Sequence, residues 1–133
     1  MDDPDGLGYS HCLQLDRITL NILQRFENVK RKGPVTIELL TAMGVIYFLS
    51  GKMEKAADYF KNVVDLDPNN YSVWNRYGSI LQLLKKHSLS RDAYMRALEL
   101  KPNYITAWLN LARTFHLAVR DHIQNFFLFN FFN

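Results

Sequence analysis

Along the 133 residues, apolar positions recur every three or four residues in blocks separated by turn residues, the period of helices that bury one side. The opening "MDDPDG" is acidic, turn-rich and without apolar period, which predicts a disordered leader over residues 1–12. Leu15, Ile18, Ile22, Phe26 and Val29 then form a single stripe. It predicts a leading helix over 13–34, buried on that side and ended by Gly33-Pro34. Leu40, Met43, Gly44 and Tyr47 carry the next pattern, which breaks at "LSGK" and resumes with Ala56, Phe60 and Val63 until Pro68. This reads as a helix, a tight turn at Gly51 and a second helix.

The same unit is then written again. Gly44 recurs as Gly78 and Ala112, Leu40 as Trp74 and Trp108, Phe60 as Tyr94, and Pro68 as Pro102, each 34 residues on. A fixed 34-residue period of helix-turn-helix units is the signature of tetratricopeptide repeats, so the predicted class is all-α, a right-handed helical solenoid. Two complete repeats (35–70 and 71–104) and a partial third (105–133) are expected. Small residues at Gly44, Gly78, Ala112, Ala56 and Ala97 allow close helix approach, and Trp74 and Trp108 are expected to fill the space between units. Pro68 and Pro102 stop the second helices, and Asn69, Asn70 and Asn103 offer caps for the helices that follow.

Composition narrows the function classes. With 48% hydrophobic and 22% charged residues the chain has the make-up of a soluble globular protein, and its net charge of +3 is spread along the sequence. The one basic run, Lys30-Arg31-Lys32, precedes Gly33-Pro34, where cations suit a helix C-terminus better than a nucleic-acid patch. The lone Cys12 excludes an internal disulfide and, with His11, does not make a metal site. No metal or other cofactor is called for. Neither a signal peptide nor an apolar run of about 20 residues is present, which points to a cytoplasmic protein without an integral membrane segment. His87 and His122 read as isolated, and no histidine–carboxylate pair, phosphate loop or metal spacing suggests an enzyme.

The residues between the framework positions add a more specific likeness. "MGVIYFLSGKMEKAADYF", "DPNNYSVWNRYGSIL" and "DAYMRALELKPNYITAWLNLA" resemble the C-terminal tetratricopeptide domain of the peroxisomal targeting signal 1 receptors over roughly residues 35–118. The resemblance implies a module that binds C-terminal Ser-Lys-Leu-type signals of peroxisomal matrix proteins for import, with docking-complex proteins as further partners and shuttling to the peroxisome membrane. It places Asn75 and Asn110 at peptide-contacting asparagines. An asparagine amide offers a donor and an acceptor together, as an extended peptide backbone does. At the other contact positions this chain has Leu83 and Leu117 for asparagines and Thr106 for the carboxylate-facing arginine. Arg113, with His116 on the same helix, is the candidate replacement cation. The expected peptide-binding residues are therefore Asn75, Asn110, Thr106 and Arg113. The alternatives are a general scaffold or co-chaperone that binds another protein's tail or helix, using Arg76 and Arg113, or a truncated fragment without independent activity.

The third unit departs from the frame. Gln124, Leu128 and Phe131 stand in its second-helix region, and the chain closes on "NFFLFNFFN", whose five phenylalanines show no helical period. The expectation is a low-complexity tail on an interrupted repeat, from truncation, alternative splicing or an imperfect gene model. An array stopping there leaves Trp108, Leu111 and Phe115 without cover, so Phe126–Phe132 either folds back over them or stays exposed and drives self-association.

Overall fold

The computed structural model describes residues 7–132, with side chains from residue 17 onward. The first half of the expected leader, residues 1–6, lies outside the described residues, as do the side chains of His11, Cys12 and Leu15. Among the described residues there are six helices and no strand: α1 Leu7–Lys32, α2 Ile37–Leu49, α3 Met53–Leu66, α4 Tyr71–Leu83, α5 His87–Leu100 and α6 Ile105–Phe132. The all-α class is the one the periodicity predicts. At both ends helix extends further than expected. Residues 7–12, assigned above to the leader, belong to α1, and the phenylalanine-rich tail belongs to α6. The chain forms two compact units divided between Tyr59 and Phe60.

In the first unit α1 packs on α2. Thr36 caps α2, its hydroxyl oxygen accepting from Leu39 N at 3.2 Å. Gly51, at φ 77°, closes the turn that follows, with backbone bonds Ser50 N to Ile46 O, Gly51 N to Phe48 O and Lys52 N to Tyr47 O of 2.9–3.1 Å. The apolar stripe of α1 is not its buried side. Leu23 is buried, whereas Ile18 is 50% and Val29 56% exposed. The inner face also carries Glu27 and Lys30, because two tyrosines need polar partners there. Tyr47 and Tyr59 stack at 5.4 Å, Tyr59 donates to Glu27 Oε1 at 3.1 Å, and Lys30 Nζ donates to the Tyr59 oxygen at 3.3 Å. Burial pushes both phenols up, and the bond to Tyr59 raises Lys30. The basic run thus ends a helix, as its position predicts.

In the second unit α4 packs on α5 and α5 on α6. Tyr94, Ala97, Leu98, Ala107 and Leu111 form its core, with Tyr71, Trp74 and Tyr104 against it. Gly78 is required by the closeness of α4 to α5: a Cβ there would stand 2.8 Å from a ring carbon of the fully buried Tyr94. Asn70 caps α4 through Val73 N at 3.3 Å. The indole N–H groups of Trp74 and Trp108 donate to Pro68 O and Pro102 O at 2.8 and 2.9 Å, the same contact one period apart. Leu111, expected to lack cover, is buried, while Trp108 and Phe115 are 52% and 53% exposed. Trp108 therefore fills no space between units. The tail does not fold back: Phe126, Phe127, Phe129, Phe131 and Phe132 are all exposed.

Candidate functional site

Asn75 lies on α4 and Asn110 on α6, and the structure brings them together: Asn110 Nδ2 donates to Asn75 Oδ1 at 3.1 Å. Asn75 is buried and Asn110 half-buried. Two amides sharing one bond keep a donor on one residue and an acceptor on the other, and exchanging O and N on both leaves the same remainder. Beyond the shared bond each amide keeps hydrogen-bonding capacity of its own, on a buried residue at Asn75 and a half-buried one at Asn110.

Beneath the pair runs a polar seam that the periodicity hid. Thr114 hydroxyl has Gln82 Oε1 at 3.1 Å and Asn110 O at 3.0 Å as acceptors, Tyr94 hydroxyl lies 3.1 Å from both Gln82 Oε1 and Ser79 Oγ, and Ser79 donates to Asn75 O at 3.0 Å. Ser90, fully buried, donates to Gly78 O at 2.8 Å and lies 3.4 Å from Thr114. These groups satisfy one another inside the unit, which fixes α4, α5 and α6 in the register that sets Asn75 against Asn110. The signal was present in the repeat itself. One period on, Ser79 replaces Val45, Gln82 replaces Phe48, Ser90 replaces Ala56 and Tyr94 replaces Phe60.

The other expected residues lie at the surface. Thr106 and Arg113 are exposed on α6, and Leu83 is exposed at the end of α4. Burial pushes the Tyr94 phenol up, opposed by its hydrogen bonding with Ser79 and Ser90 and, least, by the charge of Arg113. His87, read as isolated, is not. Its Nε2 lies 3.0 Å from Asp121 Oδ2, joining the start of α5 to α6, and the bond holds the Asp121 carboxyl below its ordinary value. No hydroxyl or thiol is hydrogen-bonded to His87 among the described residues, and its Nδ1 is buried without a partner, so the pair lacks the third group of a nucleophilic constellation. Among the described residues no cluster of three or more His, Cys, Asp or Glu could hold a metal, and no helix is long and apolar enough to cross a membrane.

Profiles of the tetratricopeptide repeat match residues 37–70 and 71–104, together just over half of the chain. The chain is a tetratricopeptide-repeat protein. Repeats of this kind are protein-interaction modules, and no catalytic family is indicated. A 44-residue stretch is 41% identical to the PEX5-related protein of Mus musculus, covering 33% of this chain and 8% of that protein. A 74-residue stretch is 30% identical to the peroxisomal targeting signal receptor of Saccharomyces cerevisiae, covering 56% of this chain and 12% of that one. The tetratricopeptide chain thus matches about a tenth of these relatives' length. Among solved structures, the first tetratricopeptide domain of Spaghetti (RPAP3) bound to the HSP90 peptide SRMEEVD superposes with a TM-score of 0.68 at 20% identity, covering 82% of this chain and 86% of that one. YrrB, a tetratricopeptide protein with an unusual peptide-binding site, gives 0.70 at 17%, covering 77% and 53%.

Proposed function

We propose that this tetratricopeptide module binds an extended protein C-terminus along the face of Asn75 and Asn110, with Ser-Lys-Leu-type signals of peroxisomal matrix proteins as ligand class. The observation that carries the reading is the Asn110–Asn75 amide pair at 3.1 Å, whose shared bond does not use the Asn75 NH₂ or the Asn110 side-chain carbonyl, the donor and the acceptor assigned to a peptide backbone. The short matches to the PEX5-related protein and to the yeast receptor support the choice of ligand. Arg113 is the cation for the terminal carboxylate, and Thr106, one turn before Asn110, contributes a hydroxyl at the rim. Leu83 and Leu117 offer no amides, so the ladder is short. Each neutral hydrogen bond nets about 0.5–1.5 kcal/mol, and the charged one about 1.5–3 kcal/mol, which makes the affinity weak. Such a module works in the cytoplasm and, with docking-complex partners, at the peroxisome membrane.

Fluorescence anisotropy with a labelled peptide ending in Ser-Lys-Leu tests this. Binding is expected, weakened about tenfold when the carboxylate is amidated and a few-fold in Asn110→Ala. Equal binding of the amide overturns the reading. Exposed Arg76 and Arg113 also suit an acidic tail, so SRMEEVD is the second ligand; its binding in place of Ser-Lys-Leu makes the chain a general scaffold for acidic tails.

A further inference from the structure

Helix α6 has two apolar faces, and only one is used. Ala107, Leu111 and Thr114 are buried within the second unit. On another side Trp108, Ala112, Phe115, Val119, Ile123 and Phe126 follow one another at intervals of three or four residues, all exposed, the five larger ones by 48% to 61%. This spacing places them in one line along the helix, over about 27 Å at 1.5 Å per residue. At ~200 Å² for a large side chain, the bare part of the five larger residues is on the order of 550 Å², and the exposed Ile105, Phe127 and Phe129 beside the line bring it to about 900 Å². That is more than the roughly 300–600 Å² of the largest patch on a typical monomer, and close to the ~800 Å² each partner gives to a stable interface.

We infer that this stripe is a homodimer interface in which α6 of two copies pack antiparallel about a two-fold axis at Val119. In that register Phe126 of one copy falls opposite Ala112 of the other, and Phe115 opposite Ile123, so large side chains meet smaller ones and the two ridges interdigitate. Asn110 lies on the opposite side of α6, so pairing leaves the amide pair free and stands independently of the peptide reading.

Size-exclusion chromatography with light scattering on the full chain at tens of micromolar is the test, together with cysteine pairing in a Cys12→Ser background. The expected result is a two-copy species, dissociating about tenfold more readily in Phe126→Glu with unchanged helical circular dichroism. Val119→Cys is expected to form a disulfide-linked dimer under mild oxidation, and Ala112→Cys alone is not. A clean monomer, an open-ended series of larger species, or cross-linking at Ala112→Cys in preference to Val119→Cys overturns the proposal. The monomer result assigns the stripe to a different protein.

Discussion

The two repeats share a frame and differ in what fills it. Their turns are superimposable bond for bond: Leu84 N to Ile80 O, Lys85 N to Gln82 O and Lys86 N to Leu81 O repeat the three bonds around Gly51 one period later. Yet the left-handed position is a glycine at φ 77° in the first repeat and Lys85 at φ 58° in the second. Inside the helices, Val45, Phe48, Ala56 and Phe60 give way to Ser79, Gln82, Ser90 and Tyr94. The period therefore sets the backbone, while the second repeat spends apolar positions on a hydrogen-bonded seam, and the seam underlies the amide pair.

The comparison is broken most severely at Gly78. Gly78→Ala drives a methyl to 2.8 and 2.9 Å from two carbons of the buried Tyr94 ring. Overpacking of this kind costs about 3 kcal/mol, a melting decrease on the order of 10 °C. Adding Tyr94→Leu is expected to recover part of the loss, and thermal unfolding followed at 222 nm measures both. Ser90→Ala makes the second repeat resemble the first at Ala56. It removes the bond to Gly78 O, and about 1 kcal/mol of stability is expected to go with it in urea titration. Lys85→Gly acts in the other direction. A side chain in the left-handed region costs about 1–2 kcal/mol, so relieving it stabilises by about 1 kcal/mol, and Gly51→Ala loses a similar amount.

The smallest effect concerns acid. The bond from His87, then the charge of Arg120, lowers the Asp121 carboxyl in the folded chain, so its contribution is fully present above the ordinary carboxylate pKa of about 3.9 and is lost as pH falls through the lower folded value. Asp121→Asn is expected to flatten stability against pH in that window and, near neutrality, to lower stability by an amount that no longer varies with pH. Acid titration monitored by circular dichroism checks it.

Much of this is legible in the sequence alone. Period 34 locates five of the six helices, because Gly78 stands where a Cβ would meet the Tyr94 ring and Pro68 and Pro102 follow the ends of α3 and α5. Where polar groups occupy inner positions, hydropathy misleads. It selects Leu15, Ile18, Ile22, Phe26 and Val29 as the inner face of α1, but Ile18, Ile22 and Val29 are exposed, Phe26 is half-buried, and Glu27 and Lys30 sit on the inner side as partners of Tyr47 and Tyr59. It missed the seam, since Ser79, Ser90 and Thr114 resemble surface residues until their acceptors are known. It also missed the His87–Asp121 contact, whose members are one full period apart. The tail reads as irregular only while its phenylalanines are taken by themselves. Taken with Trp108, Phe115 and Val119, Phe126 continues a helical line already begun.

The central claim is that the Asn75–Asn110 pair reads an extended peptide, and side-chain amide resonances test it most directly. In a ¹⁵N–¹H correlation spectrum of the full chain, titration with a peptide ending in Ser-Lys-Leu is expected to shift the NH₂ signals of Asn75 and Asn110 and the Nε–H of Arg113, while Asn28 and Asn62 stay still. The amidated peptide is expected to leave Arg113 unmoved. Saturating peptide that moves none of these three groups, or moves only residues of the α6 stripe, contradicts the account.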